Sequence, residues 1–279
     1  MKKKKPTIPS IIKWVIALIL VVMQVYPFFY VFTSSFKSLD DFRQLPAYAL
    51  PSKWVLTNFI NVFTKSHMLT YFKNSIIVLI GVLIPLLLFA LMAGFALSKI
   101  KFKGRKFVLN YFLLGLMLPM QVALIPLFTI FNKMGLINTY LGMMIVFFVS
   151  AMNIFQFRQS FKTFATTLKE AAHIDGCSNF TFFLRILLPT NISTVLTVFI
   201  TAFIGTWNTY LWPLLVTNKT EMRTVQVGIT MLNFSEGTVY GPIMAASIMV
   251  LLPSLILFLT FQKRIVSGMM AGGGKGEKE

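Results

Sequence analysis

Six long apolar stretches alternate with short polar segments along the chain, at residues 11–33, 74–98, 107–131, 139–157, 190–217 and 243–262. Each has roughly the 20 residues an α-helix needs to cross about 30 Å of hydrocarbon. No water is available there, so backbone groups must pair within their own segment, as they do in a helix. The pattern predicts an all-α, polytopic membrane protein with six transmembrane helices.

One polar break differs from the rest. Residues 170–189, EAAHIDGCSNFTFFLRILLP, carry their own punctuation. Thr167 and Glu170 have the capping-box spacing of a helix start, and Gly176 suits the left-handed position that ends a helix. Ser178 can cap a second helix, which Pro189 closes or kinks. Two short helices joined by a glycine elbow are expected.

The other breaks carry less. The loop at 34–73, with Pro46, Pro51 and Trp54, is long enough for a short interfacial helix and is expected to be a tether rather than an external gate. KIKFKGRK, at 99–106, is expected to be a stop signal only. Ala90, Gly94 and Ser98 recur every four residues, a stripe that lets helix backbones approach within the chain. Pro85 interrupts the second apolar run, and Pro119 and Pro126 the third, as suits helices bent around a cavity or statically kinked.

Composition agrees with the pattern. Of 279 residues, 56% are hydrophobic and 12% charged, with a mean hydropathy of +0.76, outside the range of soluble domains. The net charge of +18 would suggest nucleic acid in a soluble protein. Here the cations flank apolar runs: 18 of the 26 Lys and Arg fall in 1–13, 99–106, 158–185 and 263–279. The positive-inside rule accounts for them without nucleic acid, and places both termini and the 170–189 stretch in the cytoplasm. MKKKKP and the long run after it fit an uncleaved first span rather than a signal peptide. A single cysteine, Cys177, excludes an intramolecular disulfide and a thiolate cluster, and His67 and His173 lack metal-ligand spacing.

No catalytic constellation emerges. The eight carboxylates all lie outside the apolar runs without a shielded acid–base pair. The tail MMAGGGKGEKE is no phosphate-binding loop, since Met269 replaces the first glycine and Gly276 the Ser or Thr after Lys275. The chain is expected to be a transport subunit, not an enzyme, with no catalytic residue, cofactor or metal of its own. The interiors of the runs hold no ionisable side chain, which argues against an ion-coupled secondary transporter. Their polar groups are neutral: Gln121, Asn153, Gln156, Asn208, Thr201, Thr206 and Thr209. Such groups suit a neutral, hydroxyl-rich solute or a water-filled path, and equally ordinary hydrogen bonding between helices.

Glu170-Ala171-Ala172, three residues, Gly176, nine residues, then Ile186, one residue, Leu188 and Pro189 resembles the cytoplasmic signature loop of ABC importer permeases. Asp175 before Gly176, MLPMQVALIPLF, GLINTYLGMM, Trp207 and Asn208 with Pro213, AAS at 245–247, Gln262 and the tail from Gly268 through Lys275 to Gly276 extend the likeness. Together they resemble the carbohydrate-uptake permeases of the maltose-importer G type, over about residues 70–276. Cys177 departs from the family's usual small residue, and Gly273 and Gly274 from its common Ala-Val.

The resemblance implies a single transmembrane domain over 1–279, with a cytoplasmic coupling loop at 158–189 and a cytoplasmic tail at 263–279. It implies a permease subunit of an ATP-binding-cassette importer for a sugar or oligosaccharide, in a prokaryotic plasma membrane. A non-sugar small polar solute is the alternative. The implied partners are a second permease in a heterodimer, a cytoplasmic ATPase dimer that uses ATP and Mg, an extracellular solute-binding protein, and lipid. Glu170, Ala171, Ala172, Asp175, Gly176, Ile186, Leu188 and Pro189 would couple to the ATPase, with Ala171 and Ala172 permitting close approach. Gly268, Lys275 and Gly276 would touch it from the tail. Gln121, Asn153, Trp207 and Asn208 are candidates for pathway or packing. The 218–242 segment resembles the family's loop that reaches toward the binding protein.

Overall fold

A computed structural model describes residues 8–44, 49–232 and 240–273, so Lys275 and Gly276 lie outside the described residues. The described residues are helices and connections, with no strand among them. In order these are α1 (Ile8–Ser34), α2 (Leu39–Arg43), α3 (Thr57–Lys65), α4 (Met68–Lys99), α5 (Arg105–Met117), α6 (Met120–Lys133) and α7 (Tyr140–Met144). Then follow α8 (Ala151–Thr163), α9 (Thr166–Ile174), α10 (Asn179–Phe182), α11 (Leu188–Thr190), α12 (Ile192–Trp207), α13 (Leu211–Val216), α14 (Val225–Thr230) and α15 (Tyr240–Gly273), which contains Gly268.

Three stretches could each cross a membrane as one helix: Ile12–Ser34, Met68–Lys99 and Tyr240–Gln262. Three bent pairs could each make one further crossing: Arg105–Met117 with Met120–Lys133 at 99°, Tyr140–Phe147 with Ala151–Thr163 at 42°, and Asn179–Thr190 with Ile192–Trp207 at 79°. The sharpest bend has a local cause. Pro119 has no N–H to continue α5, and Leu118 before it is extended, at φ −89° and ψ 115°. Pro126 and Pro85, expected to interrupt their runs, instead sit inside the continuous helices α6 and α4. The fifth run is not one helix either: α12 ends at Trp207, and the chain turns before α13.

Residues 1–69 and 228–252 form one compact unit. The described part of the 34–73 loop is held by specific contacts. Ser38 and Asp41 make a reciprocal capping box on α2, and the Asn58 amide donates to the carbonyls of Ser35 (2.9 Å) and Lys37 (2.8 Å). The Lys37 ammonium, almost fully buried, lies 4.5 Å from the centre of the Tyr30 ring, close enough for a cation–π attraction. Phe36 packs against Trp54 and Phe59 at ring distances of 5.3 and 5.2 Å. Hydrogen bonds from Ser52 lead Ser38 in pulling the Asp41 carboxyl down to about 2, against the opposing effect of burial.

Residues 70–227 and 253–279 form the second unit. Its core gathers α4, α8, the 177–187 segment and α12 around Phe95, Phe157, Phe161, Phe182, Phe183 and Leu187. The small-residue stripe serves contacts within the chain. A Cβ on Gly94 would collide with Phe157 and press the Arg158 backbone, and Ala90 is buried.

Candidate functional site

The elbow is built by local hydrogen bonds. Cys177 N–H donates to Ala172 O (2.8 Å) and Gly176 N–H to His173 O (3.1 Å), the two bonds of a Schellman motif. That motif needs a left-handed residue, and Gly176 has φ +79°. Ser178 Oγ then accepts from Thr181 N–H (3.1 Å) and caps α10. His173 and Asn179 meet across the turn at 3.2 Å. Beyond α10 a π-helical turn, Phe183–Leu187, leads into α11. Pro189, which cannot donate to the carbonyl four residues back, lies just after it and two residues before the 79° bend at Asn191.

The entry to α9 differs from the expected capping box. Ala165 occupies the N-cap without a side-chain bond, and Thr167 lies inside the first turn. Tertiary contacts position the entry instead. The Phe164 ring meets Phe182 edge-on at 5.9 Å, and the Phe164 carbonyl accepts from Lys99 Nζ (2.6 Å). Lys169 Nζ donates to the Lys99 carbonyl (2.6 Å); burial and, after it, the Lys101 charge hold the Lys169 pKa below its ordinary value. Arg105 closes the end of α4, donating to Leu97 O (2.8 Å), Ser98 O (3.0 Å) and Ile100 O (3.4 Å). The 99–106 segment is thus more than a stop signal: it seats the polar stretch.

The eight residues singled out there divide by exposure. Glu170, Ala171, Asp175, Gly176 and Pro189 face outward, Ile186 and Leu188 are half-buried, and Ala172 is buried. Ala172 packs inside this chain, so of the two alanines only Ala171 is exposed. A helix lying on lipid would use Phe180, Phe182 and Phe183 together. Only Phe180 is exposed, at 65%, while Phe182 and Phe183 are in the core.

A second feature is a cavity of about 610 Å³ between α8 and α12, lined by Ser150, Asn153, Gln156, Thr201 and Thr206 among others. Gln121 and Asn208 line an adjacent cleft of about 290 Å³. Asn208 is committed internally, donating to Ile204 O (2.9 Å) and accepting from Gln226 (3.2 Å). Trp207 is buried and stacked on Phe203, which makes it a packing residue. Ser150 was not singled out from the sequence; its signal is that of a helix N-cap, and its Oγ accepts from Asn153 N–H (3.3 Å).

In the 218–242 segment, residues 221–223 are fastened to the start of α4. The Asn74 amide donates to Glu221 O (2.7 Å) and Arg223 O (2.9 Å) and accepts from Tyr140 (2.7 Å). Residues 233–239 of this loop lie outside the described residues. Among the described residues no three His, Cys, Asp or Glu are gathered as metal ligands.

Residues 86–270 match the family of the binding-protein-dependent transport system inner membrane component. The chain belongs to this family. Its signature region contains both the elbow and the cavity walls, and its members are membrane permease subunits rather than catalytic enzymes. Among similar permeases, the arabinooligosaccharide transport system permease AraQ of Halalkalibacterium halodurans is 36% identical over 81% of each chain. The lactose transport system permease LacG of Rhizobium radiobacter is 35% identical over 76% of this chain and 78% of its own. A solved bacterial ABC transporter involved in import of the acidic polysaccharide alginate superposes with a TM-score of 0.85 at 22% identity, covering 94% of this chain and 98% of the other. That likeness is one of fold. Permeases of this family work with a second permease, an ATPase and a binding protein.

Proposed function

We propose that this chain is one of two unlike permease subunits of an ATP-driven importer for a neutral sugar or oligosaccharide. The observation that carries the reading is the elbow: outward-facing Glu170, Ala171, Asp175 and Gly176 sit on a turn whose other side is locked into the core through Ala172, Phe182 and Leu187. A knob rigidly joined to α8 and α12 transmits a push from a docked ATPase dimer to the walls of the cavity. Chemistry in the spans is then unnecessary, which accords with the lack of ionisable side chains in the interiors of the apolar runs.

The charge bias supports an orientation with the elbow and both termini in the cytoplasm of a prokaryotic cell. The tail residues Gly268, Lys275 and Gly276 are proposed to touch the ATPase, which supplies ATP and Mg chemistry from another chain. The outward loop is proposed to face the solute-binding protein. Relatives include an sn-glycerol-3-phosphate permease, UgpE of Brucella melitensis, 27% identical. The uncharged cavity lining favours a neutral solute here over an anionic one. The test is ATP hydrolysis by the assembled complex in lipid. Stimulation by a solute-loaded binding protein is expected, and a chain that never recruits an ATPase would sink the reading.

A further inference from the structure

The α8–α12 cavity holds polar groups that the fold itself leaves unused. Gln156 Oε1 is buried without a hydrogen-bond partner among the described residues. Asn153, one turn earlier on the same face of α8, is 8% exposed and its side chain lines the same cavity. Across the cavity, Thr201 Oγ1 gives its proton to the backbone, to Thr197 O (3.0 Å) or Val198 O (3.1 Å), so its oxygen remains as an acceptor. Ser150 Oγ completes the polar wall. Buried polar groups are normally paired, and each exception calls for a missing partner.

The missing partner can be characterised chemically. Each amide offers two N–H donors and one carbonyl acceptor, side by side. A sugar hydroxyl both donates and accepts, and vicinal hydroxyls present such pairs at neighbouring carbons. No charged residue lines the cavity, so nothing there would offset the charge of an anionic or cationic solute. Its volume of about 610 Å³ falls within the roughly 300–1,000 Å³ of pockets that enclose small organic molecules. Room is kept open by Gly205 on α12, where an added Cβ would meet no atom within 4 Å.

We infer that this subunit itself carries a sugar-contacting subsite, in which the Asn153 and Gln156 amides read a pair of neighbouring hydroxyls and Gly205 sets the length of solute admitted. The inference rests on the proposed importer function and goes further, because it makes this chain, and not only its partner permease, a determinant of solute choice.

The experiment uses the complete complex in proteoliposomes: this chain, the second permease, the ATPase and the loaded binding protein. The probes are radiolabelled maltose, lactose and arabinotriose, with sn-glycerol 3-phosphate as the anionic comparator. Gln156→Leu keeps most of the side chain's bulk and removes the unpaired acceptor, so folding is spared. It is expected to raise the apparent KM for the transported sugar about tenfold, the scale of one good hydrogen bond. Gly205→Met, which replaces a helical glycine and meets open space, is expected to exclude the trisaccharide before the disaccharides. Thr129→Val, on an exposed hydroxyl of α6, serves as the control and leaves uptake unchanged.

Sugar uptake by the unaltered complex with unchanged KM in Gln156→Leu and unchanged size preference in Gly205→Met would overturn the subsite alone. A loss of complex yield in Gly205→Met, equal for every solute, would overturn it too, by assigning the cavity to the partner permease's side chains. If the unaltered complex transports none of the three sugars, or prefers the anionic comparator, the proposed function fails and the subsite falls with it.

Discussion

At Gly176, φ is +79° and an added Cβ would touch nothing within 4 Å, so any substitution there acts through the backbone alone. A β-branched side chain in the left-handed region costs about 1–2 kcal/mol. Gly176→Val should therefore reshape the elbow without filling a void, leaving the chain inserted but uncoupling ATP hydrolysis from uptake. Gly176→Asn, a residue that tolerates this region, should retain most transport. The ratio of solute moved to ATP hydrolysed in the reconstituted complex measures both, and wild-type coupling in Gly176→Val would count against the elbow. Asp41 gives a residue-scale prediction on the loop at 34–73. Its carboxyl titrates at about 2 rather than the ordinary 3.8. A lowered folded-state value adds stability that is complete above the unfolded value and fades as pH falls from about 4 to about 2. Trp54 fluorescence, followed from about pH 6 to about pH 2, should report a loosening of the loop, and Asp41→Asn should loosen it already at neutral pH. Gly176 and Ser178 were legible from sequence because their chemistry is settled within four residues. Ala165 at the N-cap of α9 was not, because the entry of that helix is held by Lys99 and Phe182, distant in sequence.

At the scale of elements, the same division separates what proline does. Pro119 breaks its helix because the residue before it turns extended and no N–H follows, both local facts. Pro126 and Pro85 look alike in the sequence, yet their helices continue, since packing against neighbours decides whether a freed carbonyl bends a helix or is tolerated. The angle of 99° likewise had no sequence signal. The role of the 99–106 segment is hidden in the sequence for a related reason: its charges suffice to explain orientation, and nothing local reveals that one of them reaches back to α4. Arg105 covers three carbonyls at that helix end, groups that have no partner within the helix. Arg105→Ala should destabilise the detergent-solubilised permease by about 1–3 kcal/mol, the scale for leaving buried acceptors unpaired. Arg105→Lys should recover little, because an ammonium lacks the planar fork that spans several acceptors. A thermal-melt series on the three forms checks this, and equal melting temperatures would show the cap to be replaceable by water.

On the scale of the whole molecule, the six apolar runs and the charge bias foretold the all-α membrane architecture, while the bent crossings, the folded outward loop and the cavity required the packed chain. What joins these levels is direction. The interiors of the apolar runs hold no ionisable side chain, so the work is expected to enter from outside them. The exposed elbow is anchored through Phe182, Phe183 and Leu187 to the helices that wall the cavity, and it is the place proposed to receive that work. Ile174 at the end of α9 is 86% exposed, an isoleucine left in solvent beside that elbow. In a Cys177→Ser background, Ile174→Cys becomes the sole thiol of the chain. A membrane-impermeant maleimide should label it in inverted vesicles and not in intact cells, the orientation that the distribution of Lys and Arg predicts. Adding the ATPase subunit should slow labelling several-fold, because a docked partner covers the side chain. Labelling of intact cells would reverse the assigned orientation, whereas equal rates with and without the ATPase would move the docking face away from the elbow and leave the push on α8 and α12 without a source.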